Sequence, residues 1–468
     1  MLLLWLCTAL AHAQEANYLP GTTSVFDRLV SFVGLFALVG LAVLLSENRR
    51  KIDWRPVVWG LGLQLALGVV ILSPSVSGFF YTVVDGGVRQ LLSFSEDGAT
   101  FLFGSIEPHL VQLPGEEEPT FIAGRVSPAL KTFAFWILPT IVFFSALMSM
   151  LYHVGIMQGV VRGLAWLMMR TLGTSGAESL SAAGNIFVGQ TEAPLLVKPF
   201  IATMTRSELM AVMTGGFATV AGGVMGAYVQ FLDGVPHIAG HLVMASLMSA
   251  PAALAIAKIM VPETGQPTTA GNLDIALERT ATNFIEAAAN GATEGMRLAL
   301  NVGAMLIAIV GLVAMVDWLI GWVPLTVCTE GWQGGYACAD GTGEPLGMSH
   351  IFGVVFAPLA LLMGVPWDES MAVGQLLGEK IVLTEFFAYI HLGEMVHSET
   401  AVLSQRGAVI ASYALCGFAN FASIGIQLGG IGGIAPERMS DLASLGFRAM
   451  WAGMLAACMT GAVAGMML

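Results

Sequence analysis

The sequence predicts an all-α polytopic membrane protein with eight transmembrane helices and two opposed re-entrant hairpins, arranged as an inverted repeat. Of its 468 residues, 56% are hydrophobic and only 11% are charged, whereas soluble globular proteins carry about 25% charged residues. Apolar segments of about 20 residues, the length that crosses a bilayer, follow one another along the chain. The net charge of -13 falls mostly between these segments, so it indicates solvated loops and not a nucleic-acid partner.

Eight segments are long and apolar enough to span a lipid bilayer. Glycine is frequent in them, as is usual for membrane helices that pack closely. In chain order they are residues 29–46, 57–80, 132–151, 209–232, 242–260, 297–322, 407–433 and 447–468.

The charges on the first two loops predict the orientation of these segments. The first loop carries four basic residues, Arg49, Arg50, Lys51 and Arg55, so the positive-inside rule assigns it to the cytoplasm. The second loop, residues 91–128, is acidic and is therefore assigned to the periplasm. Alternating the remaining spans places both chain termini in the periplasm.

Two further features agree with this orientation. Residues 1–13 contain a short apolar core that ends in Ala11-His12-Ala13, which is typical of a cleavable signal peptide; the alternative is an uncleaved interfacial helix. Cys328 and Cys338 bracket a polar loop that the topology assigns to the periplasm. We therefore predict a disulfide between them, because that compartment is oxidising.

Two stretches do not fit a count of simple spans. Residues 155–205 and 351–391 each contain two short apolar runs, and the breaks fall at residues 171–185 and 364–370. Paired runs too short to cross alone predict re-entrant hairpins, whose backbone ends must be covered by protein or water. The predicted division is therefore N-terminal helices (29–151), a first repeat (155–260), an interfacial helix with the sixth span (265–350) and a second repeat (351–468).

Short sequence matches support the repeat. Thr191-Glu192 in the first hairpin corresponds to Thr384-Glu385 in the second, and "GFAT" at residues 216–219 corresponds to "GFAN" at 417–420. Glycine and small polar residues in the middle of a span predict local unwinding, which frees backbone carbonyls to coordinate a cation.

Few polar side chains lie within the predicted membrane layer, and an intramembrane ionisable group indicates function unless it is paired. The adjacent Glu379 and Lys380 are expected to have a structural role, by pairing with nearby charges or by snorkelling. Asn420 and Ser423 share one helix face, and with Glu385 they could accept and donate several hydrogen bonds, as a vicinal diol requires. The full set is Asn185, Gln190, Thr191, Glu192 and Thr219 in the first half, and Glu379, Lys380, Thr384, Glu385, Asn420 and Ser423 in the second.

Several long motifs resemble those of the concentrative nucleoside transporter family. They are "RPVVWGLGLQLALG", "GQTEAPLLVKPF", "MTRSELMAVMTGGFATVAGG", "NFIEAAANGATEGMRLALNVGAMLIAIVGL" and "YALCGFANFASIGIQLGGIGGIAPER". The likeness extends from Leu29 to the C-terminus. Thr384 departs from it, because the family usually has asparagine before the glutamate of the second hairpin.

The resemblance implies a homotrimer that moves nucleosides by an elevator-like motion, with two interfacial helices in each protomer. It implies that Gln190 and Thr191 contact the base and that Glu192 does so partly through water. Glu385, Asn420 and Ser423 would hold the ribose, Val224 would pack on the base, and Phe418 would lie beside the site. The sodium ligands implied are Asn185, the Val188 backbone, the Thr219 hydroxyl and the Val220 backbone.

The resulting hypothesis is a sodium-coupled nucleoside importer of a bacterial inner membrane, with sodium as coupling ion, no other cofactor and no enzymatic activity. The alternatives are proton coupling through Glu192 or Glu385, an intramembrane enzyme that uses these two carboxylates as an acid/base pair, and a passive channel. The base preference stays open.

Overall fold

The structure is a computed structural model that describes residues 25–72, 74–106, 109–111, 120–122, 126, 130–271, 281–322, 326–327, 344–398 and 402–468. These ranges are almost entirely helical. The helices are α1 (Val25–Leu44), α2 (Trp54–Leu72), α3 (Pro74–Phe103), α4 (Leu138–Val154), α5 (Ile156–Leu172), α6 (Gly176–Asn185), α7 (Lys198–Ile201), α8 (Arg206–Ala218), α9 (Gly222–Phe231), α10 (Ile238–Met260), α11 (Phe284–Ile320), α12 (Met348–Leu362), α13 (Ser370–Val382), α14 (Glu385–Val396), α15 (Gln405–Leu415), α16 (Phe421–Ile434) and α17 (Met439–Met467).

Short elements accompany these helices. Two antiparallel strand pairs are present, and the remaining elements are single turns of 3₁₀ or π helix. The strands are β1 (His109–Val111) paired with β2 (Thr120–Ile122), and β3 (Thr326–Val327) paired with β4 (Glu344–Pro345). The 3₁₀ turns are Arg49–Lys51, Ala193–Val197, Trp367–Glu369 and Pro436–Arg438, and a π turn at Phe133–Ile137 leads into α4.

Six spans in the described residues are long and apolar enough to cross a membrane: α1, α4 with its π turn, α8 joined to α9, α10, α11 and α17. The two other predicted spans correspond to α2, of 19 residues, and to the interrupted pair α15 and α16. In α8–α9, α10 and α17, 83–89% of the apolar stretch is buried, against 17% in α4 and 6% in α11. The first group therefore forms the core of the chain, and α4 and α11 form its periphery.

The segments around the second and sixth predicted spans differ from the expectation. The second span ends at Leu72, and Pro74 begins the separate helix α3, which continues to Phe103 through part of the predicted acidic loop. Proline suits a first helical turn because its missing N–H has no intrahelical partner there. No separate interfacial helix precedes the sixth span within the described residues, because α11 is continuous from Phe284.

The two hairpins lie one helix later in the chain than predicted. The first is formed by α6 and by the 3₁₀ turn with α7, and its tip is residues 186–192. The second is formed by α13 and α14, and its tip is Leu383-Thr384. The preceding runs are the separate helices α5 and α12, which together with α3 lie outside the spans and hairpins of the described residues.

Tertiary partners explain why the apparent break at residues 171–185 is a buried helix. Ser175 caps α6 in a capping box with Glu178, and the Glu178 carboxylate is 2.7 Å from the Lys258 ammonium of α10. Lys258 also lies 3.2 Å from Glu263. Burial raises the pKa of Glu263, but the Lys258 ammonium and several hydrogen bonds together lower it by more. The pKa of Glu263 therefore lies below its ordinary value. A charged residue that looked like part of a loop is therefore buried as half of an ion pair.

The two repeats share an element order and a break in the same helix. In the first repeat, α8 ends at Ala218 and α9 starts at Gly222; in the second, α15 ends at Leu415 and α16 starts at Phe421. The two breaks pack against each other at Gly417, whose φ is +122°. A methyl group there would lie 2.6 Å from the Phe217 carbonyl oxygen, so this crossing requires glycine.

Some predictions fall outside the described residues. These are the signal peptide at residues 1–13 and the disulfide between Cys328 and Cys338.

Candidate substrate and sodium site

Glu385 is the centre of a buried polar cluster between the two repeats. It is the first residue of α14, where the Thr384 hydroxyl caps the helix by accepting a hydrogen bond from the Phe387 N–H at 3.3 Å. The Tyr228 hydroxyl of α9 donates to one carboxylate oxygen at 3.2 Å, and the Asn420 amide donates to the other at 2.8 Å. Threonine at position 384 therefore performs the capping that orients Glu385.

Asn420 and Ser423 are placed by the break in the second repeat. Asn420 is the N-cap of α16, and its side-chain oxygen accepts a hydrogen bond from the Ser423 N–H at 2.8 Å. The cap leaves the Asn420 amide nitrogen free to reach Glu385. Both side chains are 2% exposed, so their remaining hydrogen-bonding capacity is directed into the protein.

Gln190 joins the first hairpin to this cluster. Its amide nitrogen donates to the Ser423 hydroxyl at 3.0 Å, and its amide oxygen accepts from Gln427 of α16 at 3.1 Å. One hydrogen-bonded series therefore extends from Tyr228 through Glu385 and Asn420 to the Ser423 residue, and from there to the tip of the first hairpin.

The other predicted substrate contacts lie near this series in different environments. Thr191 packs on Gly430 of α16, where a methyl group on the glycine would lie 3.0 Å from the threonine methyl. Glu192 is exposed and folds back over its own hairpin tip. Val224 is buried, and Phe418 is partly buried against the hydrophobic core. The structure thus links Gln190, Ser423, Asn420 and Glu385 in one hydrogen-bonded series, whereas Glu192 is exposed.

Sequence reasoning missed two members of the cluster, Tyr228 and Gln427. Both are completely buried. Gln427 follows Ser423 by four residues, and Tyr228 follows Val224 by four, so each shares a helix face with a residue that was predicted. This four-residue spacing is the sequence feature from which Tyr228 and Gln427 could have been predicted.

The predicted sodium ligands converge on the break between α8 and α9. Asn185, the last residue of α6, is 1% exposed, and neither its amide oxygen nor its nitrogen has a hydrogen-bond partner in the part of the chain that the structure describes. A methyl group on Gly215 would lie 3.1 Å from this amide nitrogen. Thr219 and Val220 are buried in the break itself.

The hairpin tip that follows Asn185 contributes backbone carbonyls. The Ile186 carbonyl accepts a hydrogen bond from Ser246, and the Phe187 carbonyl accepts one from the Gly222 N–H. The carbonyl of Val188 follows these two in the chain. The Thr219 hydroxyl donates to the Gly215 carbonyl at 2.8 Å and keeps its lone pairs for a cation. A buried amide oxygen without a partner, beside a hydroxyl and unwound backbone, fits a cation that prefers oxygen ligands.

The expectation for Glu379 and Lys380 is half right. Glu379 pairs with His391 at 2.9 Å. Lys380 is completely buried and donates to the Ala414 carbonyl at 2.9 Å, so it does not snorkel, and its partner is a backbone carbonyl and not a carboxylate. The end of α15 offers carbonyls without intrahelical donors, which explains this choice of partner.

Comparison with known protein families identifies the fold that holds this site. Three family models match: "Na+ dependent nucleoside transporter N-terminus" over residues 33–106, "Nucleoside recognition" over 134–234 and "Na+ dependent nucleoside transporter C-terminus" over 241–465. The chain belongs to the Na+-dependent nucleoside transporter family. It is therefore a membrane transporter with a nucleoside substrate and sodium as coupling ion, and the alternative of an intramembrane enzyme is excluded.

Individual relatives agree with the family models. An uncharacterised transporter of Haemophilus influenzae is 43% identical over 440 residues, which cover 94% of this chain and 97% of that protein. The mouse solute carrier family 28 member 3 is 40% identical over 454 residues, but this chain spans only 59% of its length. The pig sodium/nucleoside cotransporter 1 is 38% identical, with 64% of its length covered.

Solved structures show the same architecture. CNTnw in an inward-facing, substrate-bound state has a TM-score of 0.80 and 39% identity, with 94% of this chain and 98% of that chain covered. A variant of CNTnw in an outward-facing state has a TM-score of 0.82 at 38% identity, with 95% of this chain and 98% of that chain covered. The predicted fold class, with opposed re-entrant hairpins in an elevator-type transporter, is confirmed.

Proposed function

We propose that this protein imports nucleosides across a bacterial inner membrane, and that it binds them at the buried polar series between its two hairpins. The observation that carries the proposal is the contact between Gln190 and Ser423, which lie 233 positions apart in the chain. It joins the tip of the first hairpin to the cluster around Glu385. A substrate bound here would touch both repeats at once.

The chemistry of the series suits the two parts of a nucleoside. Each Glu385 oxygen accepts one hydrogen bond within the protein and retains capacity to accept another from a ribose hydroxyl. Asn420 and Ser423 add a donor amide and a hydroxyl on the same side. On the other side, Gln190 and Thr191 would hydrogen-bond the base, Val224 and Phe418 would pack on it, and Glu192 would act through water from its exposed position.

Sodium would be bound by Asn185, the Val188 carbonyl, the Thr219 hydroxyl and the Val220 backbone. Val188 and Gln190 belong to the same short hairpin tip, so ordering the tip around sodium also orders a substrate contact. Each ligand then tightens the binding of the other to the same extent. Inward movement of the cation adds about 2.3 kcal/mol per 100 mV of membrane potential, to which a neutral nucleoside adds nothing.

The peripheral helices support a trimeric assembly with an elevator motion. The apolar stretches of α4 and α11 are mostly exposed, in contrast to those of α8–α9, α10 and α17. We propose that α4 and α11 pack against partner copies and lipid as a fixed scaffold. The repeats carrying the polar series would move against that scaffold, with both chain termini in the periplasm.

Uptake into proteoliposomes tests the function directly. With purified protein and an inward sodium gradient, labelled uridine should accumulate above its equilibrium level, and an inward potassium gradient should give only equilibration. Accumulation driven equally well by a proton gradient without sodium would favour proton coupling. Equilibration under every gradient would favour a passive channel.

The sodium site has its own test in Thr219→Ala. Loss of one oxygen ligand should raise the sodium concentration for half-maximal uptake by about tenfold, because a hydrogen-bond-scale ligand contributes roughly 1–2 kcal/mol. The nucleoside affinity at saturating sodium should change little. A matched control is Thr171→Ala on α5, whose hydroxyl donates to the Leu167 and Met168 carbonyls of its own helix. An unchanged sodium response in Thr219→Ala would remove this hydroxyl from the site.

A further inference from the structure

Gln427 is a completely buried glutamine on α16 that contacts the predicted base-binding residue. Its amide nitrogen donates two hydrogen bonds, to the Gln190 side-chain oxygen and to the Met213 carbonyl oxygen, both at 3.1 Å. Its own amide oxygen is buried without a partner among the described residues. Both N–H groups of the Gln427 amide thus donate, and its oxygen accepts no hydrogen bond from the described residues. Gln427 therefore acts as a hydrogen-bond donor.

The Met213 carbonyl determines the orientation of Gln427. A backbone carbonyl can only accept a hydrogen bond, so the amide atom that faces it must be the nitrogen. The same nitrogen faces Gln190, whose contacting atom must therefore be the oxygen. The Gln190 nitrogen is consequently directed to the Ser423 hydroxyl at 3.0 Å. One fixed backbone acceptor orients two amides in series.

The close approach depends on Gly216. A methyl group at this position would lie 2.7 Å from the Gln427 nitrogen and 2.9 Å from the Gln190 β-carbon. The helix α8 therefore lacks a side chain where the two glutamines meet, and both are held against its backbone. Neither amide can reverse its orientation without losing these contacts.

We propose that Gln427 is a specificity-determining residue that fixes the orientation of the Gln190 amide and thereby the choice of nucleobase. The inference rests on the proposed function, in which Gln190 contacts the base. A freely rotating amide can offer either its oxygen or its nitrogen to a base edge, whereas an amide held by Gln427 offers one fixed pattern. Gln427 acts through Gln190, so it is a positioning residue and touches no substrate itself.

Uridine and cytidine distinguish a fixed amide from a free one. Their bases have nearly the same shape, but uracil carries a carbonyl acceptor at position 4 where cytosine carries an amino donor. At position 3, uracil has an N–H donor and cytosine has an unprotonated nitrogen acceptor. A fixed Gln190 amide matches one of these edges and leaves a group unpaired against the other. An unpaired buried group costs enough to separate the two half-saturation constants by about fivefold or more.

The experiment measures sodium-driven uptake of labelled uridine and cytidine by wild-type protein and two variants. Gln427→Met removes the donors at similar volume, so the ratio of the two constants should move toward 1. Gln427→Glu keeps the shape and reverses the pattern: the introduced carboxyl group, protonated in this buried site, can donate to Met213 and accept from Gln190. The Gln190 amide then reverses, and the preference between uridine and cytidine should invert.

Controls separate this role from a general loss of structure. Gln64→Met changes another completely buried glutamine, on α2, away from the site, and should leave the ratio unchanged. In a Gln190→Ala background, Gln427→Met should have no further effect on the ratio, because its action is routed through the missing amide. If Gln427→Met does not fold, the isosteric Gln427→Glu still tests the inversion.

The outcomes distinguish the inference from the function on which it rests. If no nucleoside is taken up by the wild type, the proposed function fails. If both nucleosides are taken up with equal constants, or if Gln427→Met leaves an unequal ratio unchanged, the role of Gln427 is overturned and the transport function stands. The role of Gln427 is supported if Gln427→Met moves the ratio of the uridine and cytidine half-saturation constants toward 1, and if this effect disappears in the Gln190→Ala background.

Discussion

Replacing Glu385 with glutamine should raise the uridine concentration for half-maximal uptake by about 100-fold. A hydrogen bond to a charged group contributes about 1.5–3 kcal/mol, and about 2.7 kcal/mol corresponds to 100-fold. The amide has a single acceptor oxygen, which the Tyr228 or Asn420 donor already occupies in the wild-type arrangement. It cannot also accept from both ribose hydroxyls.

A substrate without those hydroxyls provides the sharpest control. For 2′,3′-dideoxyuridine, wild type and Glu385→Gln should differ little, since there is no ribose hydroxyl to lose. Glu394→Gln, an exposed change on the same helix, should leave uridine uptake unchanged. Unchanged uridine uptake in Glu385→Gln would remove this carboxylate from the substrate site.

Replacing Lys258 with methionine should destabilise the protein by about 3–5 kcal/mol, the usual cost of removing one partner of a buried ion pair. Lys258 is 2.7 Å from the Glu178 carboxylate, and both side chains are buried. The variant leaves Glu178 without its counter-charge on the first arm of the first hairpin. A lower melting temperature of the detergent-solubilised protein should report the loss.

The double variant Lys258→Met with Glu178→Gln identifies the cause. It removes the unpaired charge, so it should recover much of the stability lost in Lys258→Met. Lys198→Met, which removes an exposed lysine from the second arm of the same hairpin, should have little effect. If the double variant melts no higher than Lys258→Met, lost packing and not the stranded carboxylate explains the destabilisation.

The site was predictable where a polar residue stands out from its apolar neighbours. Gln190, Glu385, Asn420 and Ser423 were found in this way, and the structure brings them into one hydrogen-bonded series. Tyr228 lay outside that signal because an aromatic residue on an apolar helix resembles core packing. Gln427 was passed over although it shares the helix face of Ser423.

The hairpin positions were less predictable, because polarity alone cannot distinguish a loop from a buried helix with remote partners. Residues 171–185 look like a break, yet α6 is buried there through its capping box and through Lys258, about 80 positions later in the chain. In the second repeat, too, the hairpin lies one helix later in the chain than predicted. The two errors match because the two repeats have the same order of elements.

Local composition and motif order were enough to predict the membrane class, the breaks between α8 and α9 and between α15 and α16, and the family. Tertiary structure alone decided which arms form the hairpins, how Thr384 caps Glu385, and that Lys380 bonds to the Ala414 carbonyl. The physical reason is that the cost of burying a polar group depends on its partner. Those partners lie far away in the chain.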